Sequence, residues 1–207
     1  MSTIKTTNIT HGSNSGTANL VLNDTGNVEA RKVNGCQRII LEQFFSPCDG
    51  AVIALQDGNH TLENVTATQF GTDSWVKLNG SEITYTPPTG TTQVIYEFHF
   101  MDSYDHETSW SSHKFQIDGT DVAYNRIMNG RNDHSAQYVV AKLGINIGGD
   151  ADANVGRQAS WSSAKTIKIM STEYNSSNGS KWHNATNWAQ SSTDQFSIPS
   201  IGITAIG

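Results

Sequence analysis

The amino-acid sequence predicts an all-β fold, an antiparallel β-sandwich of jelly-roll type with a short N-terminal β arm. Ser, Thr, Asn and Gly make up about two-fifths of the 207 residues, and all four lower helix propensity. Short segments rich in Val, Ile, Thr and aromatic residues favour strands, and Gly, Asn or Pro residues separate them. No helical patterns alternate with these segments, which argues against a parallel α/β sheet.

Residues 1–35 are predicted to form a small docking arm. Two short strand-type segments, 19–22 and 27–30, flank the turn sequence at 24–26. The arm contains no aromatic residue, and its apolar side chains are too few for an independent core: Leu20, Leu22 and Val28. We therefore expect the arm to pair with the main domain, a sister subunit or a larger assembly.

Residues 36–207 are predicted to form the sandwich domain, because strand signals and turn signals alternate along them at the spacing typical of sandwiches and barrels. Asp-Gly, Asn-Gly, Pro-Pro and Gly-Gly pairs end several of the strands. The predicted strands cover residues 37–45, 51–55, 68–78, 82–85, 94–101, 113–117, 134–147, 165–170 and 196–206.

The strand at 94–101 has the clearest alternation in the chain. One face carries Val94, Tyr96, Phe98 and Phe100, and the other carries Ile95, Glu97, His99 and Met101. Period-two alternation is typical of a strand in an antiparallel sheet that has one face in the core. The second face is only partly polar, which indicates that something covers it, for example another subunit. We therefore predict that this strand contributes to the core or to a subunit interface.

The two cysteines, Cys36 and Cys48, are predicted to be free and buried. The strand between them, if extended, spans roughly 30 Å. A disulfide needs Cα atoms within about 7 Å of each other. Free thiols are consistent with assembly in a reducing cytosol.

An acidic cluster follows the alternating strand and is the candidate for Ca²⁺ binding or carboxylate chemistry. Asp102, Asp105 and Glu107 could bind Ca²⁺ or act as a carboxylate pair, or they could lie in a solvated loop. Their spacing does not match an EF-hand, and GxSxG, HExxH and CxxC motifs are absent. We therefore predict no catalytic residue, no metal and no cofactor.

Aromatic residues in Ser- and Asn-rich segments form the candidate receptor-binding loop. Its residues are Tyr174, Trp182, His183 and Trp188. Aromatic side chains set among Ser, Asn and Gly are typical of adaptable binding surfaces, and flat rings also stack on sugars. The alternative interpretation is that each Trp caps one end of the sandwich core.

The distribution of charged and apolar residues excludes two classes of partner, nucleic acid and membrane. The formal net charge is −6, and the 13 Lys and Arg residues are scattered rather than clustered, so we expect no nucleic-acid partner. No apolar run of about 18 residues is present, so we expect no membrane insertion. The first residues lack the apolar segment of a secretory signal, so we expect no signal peptide.

Residues 1–11 (MSTIKTTNITH) and 18–28 (ANLVLNDTGNV) resemble the start of virion proteins of marine tailed phages. Residues 88–100 (PTGTTQVIYEFHF) resemble the central strand of jelly-roll domains in the same group. The resemblance implies a non-enzymatic homotrimer similar to tumour-necrosis-factor and complement-type domains. It implies a virion location, reached by assembly in the host cytoplasm, as a tail fibre, a tail appendage or a head decoration.

Residues 1–35 are then expected to dock on other phage structural proteins of the capsid or tail. Host-surface polysaccharide is the expected receptor class. Two alternatives from other classes stay open: a carbohydrate-binding lectin module, and a polysaccharide-cleaving enzyme that uses carboxylates of the acidic cluster.

Overall fold

A computed structural model describes residues 8–9, 20–22, 28–30, 38–104, 109–131, 135–174, 179–185 and 195–207. The chain divides into two compact units, Met1–Ile39 and Ile40–Gly207. Every pair of strands is antiparallel, and a 3₁₀ turn at Ala153–Val155 is the only helical element in the described part of the chain. The predicted all-β fold is therefore confirmed.

The first unit contains a three-stranded sheet. Its strands are β1 (Asn8–Ile9), β2 (Leu20–Leu22) and β3 (Val28–Ala30), in the order β1-β2-β3. β2 and β3 are antiparallel neighbours, with Leu22 opposite Val28. The two strands contain Leu20, Leu22 and Val28, the residues named for the predicted docking arm, whose docking role stays a prediction.

The described part of the second unit contains thirteen strands, most of them in two sheets. They are β4 Ile40–Pro47, β5 Val52–Leu55, β6 Gly58–Thr61, β7 Gln69–Phe70, β8 Val76–Lys77, β9 Ile83–Tyr85, β10 Gln93–Tyr104, β11 Ser109–Ile117, β12 Thr120–Arg131, β13 Ser135–Asn146, β14 Lys165–Glu173, β15 Ser180–Trp182 and β16 Ser200–Ile206.

The pairing of these strands is that of a jelly roll. The first sheet has the order β4-β16-β10-β13, and β15 and β7 extend it beside the end of β10. The second sheet has the order β12-β11-β14, with β8 and β9 both paired to the far edge of β14. Most strands that follow one another in sequence therefore lie in opposite sheets, as two Greek keys require. β5 and β6 form a separate hairpin.

The core lies between the two sheets, and β10 contributes its centre. Val94, Tyr96, Phe98 and Phe100 are completely or almost completely buried. They belong to a cluster that includes apolar side chains from β11, β14 and β16. The intervening residues of β10 are half-buried on the outer face of the first sheet, so the alternation in the sequence corresponds to two differently covered faces.

Three strands of the second unit were not predicted, and one predicted strand is interrupted. β12 has Val122 as its single fully buried residue among its described side chains, because it is an edge strand that pairs only with β11. An edge strand with one buried position carries too little apolar periodicity to be recognised. β6 and β15 are short and polar, and the segment predicted at 68–78 is broken into β7 and β8 by the loop at 71–75.

Cys48 is a free, buried thiol at the end of β4. Its Sγ lies 3.4 Å from the carbonyl oxygen of Gly80. Burial raises the pKa of Cys48 to about 12, and the charges of Glu63 and Asp49 add to the increase. The thiol is therefore protonated at neutral pH and chemically inert. Cys36 lies outside the described residues.

Candidate functional site

A groove on the outer face of the second sheet combines exposed aromatic rings with polar groups. Its volume is about 730 Å³, which is within the range of about 300–1,000 Å³ of small-molecule sites. We call it the aromatic groove, and its lining residues are Asp73, Trp75, Trp110, Ser112, Met128, Thr172, Glu173 and Tyr174.

Strand register brings the floor of the groove together. Ser112 of β11 lies opposite Met128 of β12 on one side and opposite Thr172 of β14 on the other. In an antiparallel sheet, residues that are directly opposite point to the same face. Two hydroxyls and one thioether therefore form a row across three hydrogen-bonded strands.

Trp110 lies flat against the neighbouring strand because that strand has a glycine beneath the ring. Trp110 is opposite Gly130 of β12. A Cβ atom added to Gly130 would lie 3.0 Å from Cδ2 of Trp110, so a side chain there would push the indole away. The Trp110 side chain is 48% exposed, which leaves ring surface open to the groove.

Trp75 reaches the groove from the loop between β7 and β8. The backbone carbonyl of Thr72 accepts hydrogen bonds from the amide of Glu173 at 2.8 Å and from Oγ1 of Thr172 at 3.1 Å. These bonds attach the loop to the end of β14. The Nζ atom of Lys114 lies 4.4 Å from the centroid of the Trp75 ring, a cation–π contact that holds the indole over the sheet.

Tyr174 is the most exposed of the three aromatic residues, with 79% of its surface accessible. It follows the last residue of β14, and its backbone amide donates to the carbonyl of Trp110 at 2.9 Å. The backbone is therefore held by β11, while most of the side chain is exposed. Trp75, at 38%, completes a set of three partly exposed rings.

Two carboxyl groups give the groove its charge. Asp73 is exposed, whereas Glu173 is only 4% exposed, and its Oε2 accepts a hydrogen bond from the Ser180 amide at 3.0 Å. Burial raises the pKa of Glu173 above its ordinary value, and the negative charge of Asp73 adds to the increase while the Ser180 hydrogen bond opposes it. Gly71 leaves room for the Glu173 carboxyl group, because a Cβ atom at position 71 would lie 2.8 Å from Oε2 of Glu173.

Two residues of the predicted receptor-binding loop are in the core, so the prediction is wrong for them. Trp182 and His183 are both 0% exposed and cannot stack on a ligand. Trp182 belongs to β15, which pairs with the end of β10, and its Nε1 donates to Oγ of Ser111 at 3.3 Å. Tyr174 is at the aromatic groove, and Trp188 lies outside the described residues.

Asp102 is also placed differently from the prediction, because it lies inside the sandwich and not in a solvated loop. Its side chain is fully buried, and its oxygens accept hydrogen bonds from Tyr104 at 2.7 Å, Asn129 at 3.1 Å and Ser111 at 3.3 Å. A carboxyl group surrounded by these donors has no room for a Ca²⁺ ion. Asp105 and Glu107 lie outside the described residues, and no metal-binding group of three His, Cys, Asp or Glu side chains occurs among those described.

His113 connects Asp102 to a serine in an order that resembles a nucleophilic triad. Its Nε2 is 3.3 Å from Oδ2 of Asp102, and its Nδ1 is 2.8 Å from Oγ of Ser171. All three side chains are 0–1% exposed. A substrate carbonyl cannot reach a serine sealed between two sheets, so these contacts are structural.

Sequence reasoning missed most of the aromatic groove. Trp75 follows the turn-rich sequence at 71–74, and Gly130 lies opposite Trp110, but neither relation is visible without the register of the strands. A Trp within a Gly-Thr-Asp-Ser segment is the single signal that could have indicated an exposed ring.

No protein-family model matches this chain, and a search of curated proteins finds no match to its sequence. Among the described residues, no helix has the length and apolar character needed to cross a membrane.

Proposed function

We propose that this protein is a carbohydrate-binding jelly-roll module, and that the aromatic groove is its binding site. The observation that carries the proposal is the set of three partly exposed aromatic rings, Trp75, Trp110 and Tyr174, around one groove. Solvent-exposed apolar patches of this kind mark interaction sites on soluble proteins. Flat rings match the apolar faces of pyranose rings, and the hydroxyls of Ser112 and Thr172 offer hydrogen bonds to sugar hydroxyls.

The rigidity of the groove supports binding. Trp110 and the floor residues belong to hydrogen-bonded strands, and two hydrogen bonds to Thr72 attach the Trp75 loop to the sheet. A preformed site avoids much of the entropy cost of ordering side chains when a ligand binds.

The carboxyl groups of the groove support binding in preference to cleavage. Glycosidases place two carboxyl groups on opposite sides of the bond that is broken, one as acid and one as base or nucleophile. Glu173 is almost fully buried and already accepts the Ser180 amide, which leaves Asp73 as the single exposed carboxylate of the described lining. We therefore propose a non-enzymatic role.

Replacing Trp110 by Ala is expected to weaken glycan binding about fivefold or more, because truncating an aromatic ring that stacks on a ligand ring costs roughly 1–3 kcal/mol, the range known for rings that stack on bases. Glycan-array screening identifies the ligand, and isothermal titration then measures its affinity. Gly130→Ala keeps all three rings but lifts the Trp110 indole from β12, so it should also weaken binding.

The matched control is Tyr124→Ala, because Tyr124 is an exposed aromatic residue of β12 that does not line the groove. The Tyr124→Ala variant should bind the glycan with the same affinity as the unmodified protein. Equal loss in Tyr124→Ala and Trp110→Ala, or no glycan bound by any variant, would contradict the proposed site.

As a second function, we propose that the chain assembles as a homotrimer on the surface of a tailed-phage particle, as a tail fibre or appendage or as a head decoration. The outer face of the first sheet favours this proposal. His99 makes edge-to-face contacts with Phe45, at a centroid distance of 4.8 Å, and with Tyr138, at 5.5 Å. We call these three residues the aromatic stripe. Phe45 and Tyr138 are exposed, which suits a face that another copy covers.

Light scattering at micromolar concentration tests the assembly. The expected mass is that of three chains, and Tyr138→Asp should shift the population toward monomer because it places a charge in an apolar interface. Tyr124→Asp, on the outer face of the other sheet, should leave the mass unchanged. A stable monomer of the unmodified protein would reject the second function without affecting the glycan test.

A further inference from the structure

The aromatic groove has a net negative lining. Its carboxyl side chains are Asp73 and Glu173, and no described lining residue is basic. The cations Lys114 and Arg126 on the same face both lie near Asp121, at 2.8 Å and 3.9 Å. That carboxylate balances one of the two positive charges, and neither basic side chain lines the groove.

The aromatic rings also favour positive charge. The face of an aromatic ring attracts ammonium and guanidinium groups. Trp75 makes such cation–π contacts within the protein. The Lys114 ammonium lies 4.4 Å and the Arg126 guanidinium 5.9 Å from its ring centroid. Trp110 and Tyr174 have more exposed surface than Trp75 and carry no such cation among the described residues.

We propose that the ligand of the aromatic groove is a cationic amino sugar, an oligosaccharide with unacetylated amine groups, and that Asp73 selects it. This inference rests on the proposed carbohydrate function and adds the charge of the ligand. The protonated amine pairs with the exposed carboxylate of Asp73 while the sugar ring stacks on an indole. Glu173 is too buried for direct contact.

The same charges exclude acidic sugars. A uronate or sulfate group placed in the groove would face Asp73 without a lysine or arginine of the described lining to balance it. Like charges in close proximity oppose binding and so provide specificity against wrong ligands.

The groove also differs from a site for a simple organic cation. A volume of about 730 Å³ and the hydroxyls of Ser112 and Thr172 along the floor suit one or more sugar rings with several hydroxyl groups. A small ammonium headgroup would leave those hydroxyls and most of the volume unused.

Isothermal titration with three tetrasaccharides of equal length tests the inference: glucosamine, N-acetylglucosamine and galacturonic acid. The glucosamine tetramer is expected to bind about tenfold more tightly than its N-acetylated counterpart, from one ion pair and a cation–π contact. The galacturonate tetramer is expected to show no binding. Asp73→Asn should reduce the preference for the amine to less than threefold, whereas the exposed-site control Asp150→Asn should preserve it.

The outcomes distinguish failure of the amino-sugar inference from failure of the proposed carbohydrate function. Equal binding of the amine and N-acetyl tetramers, or a preference that survives Asp73→Asn, would overturn the amino-sugar inference and leave carbohydrate binding in place. Displacement of the glucosamine tetramer by an equal concentration of choline would also overturn it, because it would indicate a simple cation site. If no sugar of any charge binds and a broad glycan array is also negative, both proposals fail together.

Discussion

Replacing Asp102 by Ala should lower the free energy of unfolding by about 4 kcal/mol, because it removes a shared acceptor from the sealed interior of the sandwich. Tyr104, Asn129 and Ser111 all direct donors to this carboxyl group, and His113 lies within 3.3 Å of it. Each buried donor left without a partner costs about 1–3 kcal/mol. Urea unfolding followed by far-ultraviolet circular dichroism measures the change.

Two further variants separate loss of the network from loss of a charge. Asp102→Asn keeps the size of the side chain and one acceptor oxygen, so it should be less destabilising than Asp102→Ala. Asp150→Ala removes an exposed carboxylate and should change stability by no more than about 0.5 kcal/mol. A stability loss in Asp102→Ala as small as that in Asp150→Ala would show that the buried network contributes nothing.

Acidification should destabilise the protein by about 3 kcal/mol through His183 alone. The His183 side chain is fully buried between aromatic rings, with the centroids of Phe98 and Phe100 at 6.3 Å and 6.2 Å. Its ring nitrogens form no well-aligned hydrogen bond within the described part of the chain. Burial lowers the pKa of His183 to about 4, and the weaker influences of the Asn79 carbonyl and the Glu63 and Asp102 charges oppose the decrease.

The direction of the pH effect follows from proton binding. Between pH 6.5 and about 4, the unfolded chain takes up a proton at this histidine and the folded chain does not. Stability therefore decreases as the pH falls through that window, by about 1.4 kcal/mol for each unit of pKa difference, and levels off below it. The contribution is fully present above pH 6.5.

Urea midpoints at pH 7.5 and pH 4.5 for the unmodified protein and for His183→Asn isolate this group. Asn tolerates the positive φ of 62° at this position better than most residues. The variant should lose less stability than the unmodified protein over the same pH change, by about 2–3 kcal/mol. Identical acid dependence in the two proteins would exclude His183 as the cause.

Local pattern was sufficient to predict the β10 strand but not the burial of individual aromatic residues. The alternation at 94–101 assigns side chains to two faces without any knowledge of neighbouring strands. Trp110 and Trp182 both lie in Ser-rich surroundings, yet one is half-exposed and the other is fully buried. The difference comes from pairing, because β15 lies beside the end of β10 while Trp110 faces outward from β11.

The candidate site was beyond sequence reasoning for the same reason. Ser112, Met128 and Thr172 are distant in sequence and meet only through the registers of β11 with β12 and β14. Trp75 joins them through a loop that interrupts a segment predicted as one strand. Tyr174 was in the predicted set because its segment is rich in Asn and Ser, but the same signal at Trp182 belongs to a fully buried ring.

The aromatic groove and the aromatic stripe lie on opposite outer faces of the same sandwich. Copies that associate through the stripe would therefore leave every groove accessible, with each additional copy contributing one more. Bivalent or trivalent attachment to a repeating polymer raises overall avidity by 10²–10⁴ over that of a single site when the spacing permits simultaneous engagement. A single groove of modest affinity would then be compatible with firm attachment to a polysaccharide layer, and attachment would be released wherever the polymer is cut into single units.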